Sequence, residues 1–358
     1  MALYVPTVQT EYMIPQMLDD RAYGALLTSG IFDETTANVT EDGGDYVNIP
    51  TIVRAQDFSR QAVATTSAQS FDTVDAKSDK AVVRADVSGN QWYKSQLRQV
   101  DPMLGIKLSQ TLGTRLAKRL AKQCFSGASA QIGAMTSNVH DWVMTAAHNG
   151  TAPGGTNTAW NGTNAAYRIS IADLEAMRSC MADYRDALTH LFITSKQLNH
   201  LKLDYLKNYG VAGQTWEAVI SKNELPSLLG FETVVVTDLL PITTGTTSSA
   251  GDLQYTALAF GKDAIAHSFQ QNPETELSTD MEGNSQNTGA GITNADTVIY
   301  TKTTVRYLTH LKGIAIAAGM GANPTDAYFA DSTKWSAAYQ DHRDVRAVRL
   351  ISGEGKTT

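Results

Sequence analysis

Tyr46-Val47-Asn48-Ile49-Pro50-Thr51-Ile52-Val53 alternates in polarity, and Ala81-Val82-Val83-Arg84-Ala85-Asp86-Val87 answers it further along the chain. Alternation is the period of a half-buried strand and puts Val47, Ile49 and Val53 on one side. Between the runs, Ala55 to Lys80 is rich in Ala, Ser, Thr, Asp and Gln, with Phe58, Val63, Phe71 and Val74 as isolated apolar points. The runs read as two strands of a very long hairpin with a polar tip; a disordered insertion is the competing reading. A two-stranded ribbon buries too little to be stable alone, and its open edges invite pairing with another chain. This segment therefore needs a neighbour.

Working outward, residues 1–37 form a mixed arm without a self-sufficient core. One short helix is expected over Pro15 to Leu27, with Met17, Ala22 and Leu26 on one face. On the other side, Asp101 as N-cap and Pro102 at the first helical position open the clearest helix. Leu104, Leu108, Leu112, Leu116 and Leu120 recur every fourth residue down to Cys124, while Lys107, Arg115, Lys118, Arg119 and Lys122 collect opposite. A basic face is most often simply solvated; its sharper meanings are nucleic acid or an acidic partner surface.

A Gly/Asn/Thr loop at 146–166 leads to Ser170, which with Asp173 makes a capping-box variant. The stripe Ile171, Leu174, Met177, Met181, Tyr184, Leu188 predicts one helix behind it. A strand at Leu191–Thr194, a helix from about Lys196 to Lys207, and a buried strand within Leu225–Pro241 follow. Further strands are expected at Tyr255–Gly261, at Thr297 to Ala318 beyond the polar loop 282–294, and at Val345 to Ile351.

Composition narrows the function classes. The 358 residues are 42% apolar and 18% charged, an ordinary globular balance with room for two or three packed units. No apolar run approaches the roughly 20 residues of a membrane span, and the N-terminus lacks a signal-peptide pattern. Cys124 and Cys180 sit in helical patterns, so a reduced compartment is expected rather than a disulfide framework. The net charge of −7 is not that of a protein gripping a nucleic-acid backbone overall, but charge can segregate by face.

Catalytic templates fail one by one. Seven histidines, at 140, 148, 190, 200, 267, 310 and 342, make neither an i, i+4 pair nor Cys/His metal spacing. Asp341-His342-Arg343-Asp344 is a surface salt-bridge cluster or, in a rival reading, a hydrolase site built on Asp341, His342 and Asp344. Cys124 near Lys122 is either an activated thiol or, more in keeping with its surroundings, a small buried hydrophobe. Gly353-Glu-Gly355-Lys356-Thr357 lacks the earlier glycine and following helix of a phosphate loop. No catalytic, cofactor-binding or metal residue is nominated, and no enzyme activity is expected.

The order of elements resembles the Hong Kong 97-like capsid proteins of tailed bacteriophages. Glu11-Tyr-Met-Ile-Pro15 resembles the start of their arm, Gly43–Val53 with Ala81–Val87 their extended loop, and Asp101–Ala121 their spine helix. Ser170–Asn208 and Leu225–Pro241 resemble their axial domain, and the likeness covers most of residues 10–320. It implies an α+β fold divided as follows: arm at 1–37, extended loop at 38–92, peripheral domain with spine helix at 93–165, axial domain at 166–294, peripheral return strands at 295–320. Residues 321–358 form a C-terminal extension that the family pattern does not place.

The resemblance also implies a role: a major capsid protein whose hexamers and pentamers close an icosahedral head shell in the virion, after assembly in the host cytoplasm. Its partners would be other copies, packaged double-stranded DNA on the inner face without sequence specificity, a separate scaffold (unless the precursor is cleaved), the portal, and a cement or decoration protein. Candidate subunit contacts are Phe58, Arg60, Phe71, Lys77 and Lys80 in the loop, and Arg115, Lys118, Arg119 and Lys122 on the helix. The basic helix face would meet either an acidic neighbouring loop or DNA. An encapsulin-like bacterial shell enclosing enzymes is the rival of the same fold.

Overall fold

Two helices, not one, precede the hairpin: α1 (Pro6–Leu18) and α2 (Arg21–Thr28). In the computed structural model the described residues are 6–33, 45–54, 75–93, 102–135, 137–141, 143–144, 149–151, 157–159, 168–209, 230–244, 253–280, 298–317, 320–339 and 341–354. The helix expected over Pro15–Leu27 is divided because the Asp20 carboxylate accepts from the backbone N–H groups of Ala22 and Tyr23, capping α2. Nor is this segment coreless: Met13, Met17, Ala22, Tyr23 and Leu26 are buried in the main core. Strand β1 (Phe32–Asp33) follows.

β2 (Tyr46–Arg54) and β3 (Asp75–Tyr93) pair antiparallel from Tyr46 opposite Val82 to Arg54 opposite Asp75, the hairpin that alternation requires. Its tip, 55–74, lies outside the described residues. Ile49, Ala81 and Val83 are buried with Ala266 and Leu308, so the base of the hairpin is anchored.

The long helix α3 (Pro102–Gly133) has 32 residues and outlasts the leucine stripe. Its glycines and the run of small residues at 126–130 let other elements come close. A Cβ on Gly127 would stand 2.1 Å from the Phe329 ring, and one on Gly113 would stand 2.4 Å from the Met13 carbonyl, where α1 crosses. Beyond α3 come β4 (Val139–Asp141) and a small sheet of β5 (Val143–Met144), β6 (Asn149–Thr151) and β7 (Asn157–Ala159).

The capping box forms: the Ser170 hydroxyl accepts from the Asp173 N–H while the Asp173 carboxylate accepts from Ser170. The helix behind it, α4 (Ile171–Ser179), is shorter than its stripe. The chain breaks at Ala182, whose φ is 46°, passes through a 3-10 turn, and gives Leu188 to strand β8 (Leu188–Ile193). Leu174, Met177, Met181 and Leu188 still share one buried cluster, but Tyr184, expected on the same stripe, is exposed because the helix has ended. Helix α5 (Ser195–Tyr209) then carries the crossover to β9 (Thr233–Val236), parallel to β8 as such a connection requires.

β10 (Ile242–Thr244) and β11 (Leu253–Gly261) lead to β12 (Ile265–Asp280), a strand absent from the sequence reading. β13 (Val298–Leu311) and β14 (Ile314–Ile316) follow, then α6 (Asp326–Phe329), β15 (Trp335–Ala337) and β16 (Ala347–Glu354). One sheet runs β1-β12-β13-β3-β2, another β4-β16-β11-β8-β9 with β10 paired to β11. The C-terminal segment is thus placed: β16 is an interior strand, paired along its length with β11 and in parallel with β4. α3 joins the sheets, Phe125 packing 5.1 Å from Phe192, which in turn meets Phe260. Among the described residues no helix is long and apolar enough to cross a membrane.

Candidate functional site: the base of the hairpin

Where β3 leaves the core it meets α3, β13 and the C-terminal segment in one charged network. Arg84 is buried; its Nη2 donates to Asp326 Oδ1 at 2.5 Å, its Nη1 donates to Gln123, and its guanidinium lies 4.7 Å from the Phe329 ring centroid. Arg119 bridges two carboxylates, donating to Asp326 Oδ2 at 2.5 Å and, through Nε and Nη2, to Asp86 at 3.2 Å. The Tyr307 hydroxyl donates to Asp86 Oδ2 at 3.0 Å.

The electrostatics follow the geometry. The Arg119 guanidinium, then Arg84, holds the Asp326 carboxyl down to about 2. Burial first, with the Asp86 carboxylate adding to it, pushes the Tyr307 phenol up. A second tie lies nearby, where Tyr46 Oη donates to the Met320 carbonyl at 2.9 Å. Residues 320–329 therefore clamp α3 to the hairpin base.

The candidate contacts divide on this frame. Phe58, Arg60 and Phe71 lie outside the described residues. Lys77 stands opposite Thr51 in the ladder, and Lys80 is exposed with Nζ 4.1 Å from the Tyr46 ring centroid. Arg115, Lys118 and Lys122 are exposed on α3. Arg119 is turned inward to Asp86 and Asp326. Beside it opens a cleft of about 290 Å³, lined among others by Met13, Val87, Leu112, Arg115, Leu116 and Val305. Val87 at its mouth is 60% exposed.

Sequence reasoning passed over Arg84, Asp86 and Asp326. The available signal was Arg84 itself: an arginine inside an otherwise apolar strand run needs a partner. Removing Asp326 should leave that buried guanidinium short of its carboxylate. Asp326→Ala should cost about 1–3 kcal/mol in urea unfolding, the carboxylate being half exposed but the guanidinium it leaves buried, and Arg119→Gln, at a side chain 37% exposed, about 1 kcal/mol or less. Equal, small losses from both would mean that Arg84 does not depend on the carboxylate.

Asp341 caps a 3-10 turn, accepting from the backbone and guanidinium of Arg343, which holds its carboxyl down to about 2. His342 Nε2 donates to the Cys180 carbonyl at 3.2 Å while its Nδ1 lies 3.6 Å from Asp341, so both residues are tied into the turn. Burial pushes the Cys124 thiol up, opposite to activation. Among the described residues no group of three or more His, Cys, Asp or Glu is placed to hold a metal ion.

No family model matches the sequence, and a search of curated proteins finds no match. Solved structures do match. The chain is similar to "Capsid of Ralstonia phage GP4" with a TM-score of 0.55 and 8% identity, over 91% of this chain and 88% of that one. It is similar to "Cyanophage Pam1 capsid asymmetric unit" with a TM-score of 0.50 and 11% identity, over 90% and 88%. At such identities the likeness is one of fold: this chain has the α+β fold of those phage capsid subunits.

Proposed function

We propose that the chain is the major capsid protein of a tailed bacteriophage, a structural subunit whose copies form hexamers and pentamers and close an icosahedral head around double-stranded DNA. The observation that carries this is the shared fold with two phage capsids over about nine-tenths of the chain. The resemblance in element order, read independently from the sequence, supports it. Residues 1–37 act as the arm, 38–92 as the extended loop, 93–165 with 295–320 as the peripheral domain, and 166–294 as the axial domain. Residues 321–358 complete the axial sheet through β16 and clamp the peripheral domain through α6.

In this reading the hairpin tip lies across a neighbouring subunit, with Phe58, Arg60, Phe71, Lys77 and Lys80 as contact candidates. Assembly in the host cytoplasm involves a scaffold, the portal and a cement protein, and the mature protein resides in the virion without enzymatic duty. The two similar structures described above are phage capsids, which favours a genome-enclosing shell over an encapsulin. Electron microscopy of the purified chain tests the proposal. Closed shells are expected; a monodisperse monomer under all assembly conditions would refute it.

A further inference from the structure

α3 contains no aspartate or glutamate in 32 residues, yet carries Lys107, Arg115, Lys118, Arg119 and Lys122 on a chain whose net charge is −7. Arg119 is neutralised inside the subunit by Asp86 and Asp326. The other four, with Thr111 between them, are all exposed. At 3.6 residues per turn, positions 107, 111, 115, 118 and 122 fall within an arc of about 80° and span about 22 Å along the axis. Among the described residues no carboxylate lies within ion-pair distance of these four. Lys118 and Lys122 repel at i, i+4. The arrangement costs helix stability.

We infer that this stripe is a binding surface for the phosphate backbone of duplex nucleic acid, engaged without sequence readout. The residue types decide between occupants. A protein docking surface centres on apolar or aromatic anchors; the stripe exposes Lys, Arg and a threonine hydroxyl, the groups that contact phosphate, and of its five residues only Arg115 borders the apolar cleft beside Val87. The hairpin of another copy is the obvious acidic rival. Its residues 54–80 carry four basic (Arg54, Arg60, Lys77, Lys80) and four acidic side chains (Asp57, Asp72, Asp75, Asp79), so they offer no net charge to attract the stripe. A duplex strand presents one charge about every 3.4 Å, several within the reach of the stripe. The inference rests on the capsid reading only in identifying the nucleic acid as packaged DNA; the stripe itself is a property of the helix.

The test uses the unassembled full-length chain and a short random-sequence DNA duplex, with binding measured across a salt series. The variant K107Q/R115Q/K118Q/K122Q changes exposed side chains only, and an unchanged melting temperature establishes that it folds. Each neutralised phosphate contributes about 0.9 to the slope of log affinity against log salt, so the variant should lose about 3 to 4 of that slope and more than about tenfold in affinity. An unchanged slope overturns the inference. So does a variant that binds duplex normally but no longer assembles, because the stripe would then be a subunit or scaffold contact. Duplex binding through the stripe by a chain that never forms shells would refute the capsid reading and leave this one standing.

Discussion

A chain in which residues 55–74 are replaced by Asn-Gly should fold normally and close no shells. Arg54 stands opposite Asp75 in the ladder, so a two-residue turn can join them with the register intact. What remains is anchored independently of the tip: Ile49, Ala81 and Val83 are buried with Ala266 and Leu308, and β3 keeps its ladder with β13 from Val83 to Tyr93. The melting temperature should therefore stay near that of the parent. Assembly is another matter, because a closed shell is held by many modest contacts repeated by symmetry, and removing one class weakens every junction at once. Sedimentation and electron microscopy should find subunits or capsomers only. The milder double substitution Phe58→Ala with Phe71→Ala should raise the concentration at which shells first form. Particles of normal size and stability after the tip replacement would defeat the idea that the hairpin holds neighbours together.

The hairpin was legible because its information is local. Alternation set the face of Val47 and Ile49, and the matching run at Ala81–Val83 set the partner. The Ser170–Asp173 cap was legible for the same reason. β12 was not, because Gln270-Gln271-Asn272-Pro273 interrupts any period, and its pairing with β13 shifts register twice there. The single helix predicted over 170–188 failed at Ala182, where the backbone changes state and the buried stripe stops, leaving Tyr184 exposed until Leu188 enters the core in a strand. The far end of α3 was missed because Ser126-Gly127-Ala128-Ser129 reads as weak helix until Phe329 is seen against Gly127.

Of the candidate site, the stripe of cations was visible at helical spacing, but the inward role of Arg119 was not. Its partners Asp86 and Asp326 are 33 and 207 residues away in sequence. Nothing local distinguishes an arginine that meets a neighbour from one that closes its own subunit. The same limit hid the end of β16: the strand expected at Val345 to Ile351 runs on to Glu354, and Ser352 and Gly353, which look like a polar tail, are buried between strands.

Acid should loosen the subunit well above the pH at which its ion pairs fail. His267 lies under α2, within hydrogen-bond reach of Tyr23 Oη at 3.2 Å and Thr309 Oγ1 at 3.0 Å, and its ring stacks on Phe32 at 4.3 Å. His310 joins α3 to the β13–β14 turn, donating to the Ile314 carbonyl and facing Gln131 and Trp335. None of these neighbours is a carboxylate that could hold an imidazolium. Burial lowers both rings from 6.5 to about 4. The unfolded chain therefore takes up protons below pH 6.5 that the folded chain refuses until about pH 4. The stability they support is complete above pH 6.5, declines through this window and is lost by about pH 4, at a cost of about 3 kcal/mol for each ring. Asp326, lowered from 3.8 to about 2, acts in a separate window, its contribution lost only as pH falls from about 3.8 through 2. Urea unfolding of the unassembled subunit between pH 7.5 and 4 should show the decline, and His267→Gln and His310→Gln should each remove about half of it. Stability that is flat across this range, or a decline that survives both substitutions, would place the acid sensitivity elsewhere. If the decline is as expected, the rings that tie α2 and α3 to the central strands fail first, while the Arg84–Asp326–Arg119 clamp on the hairpin base still holds.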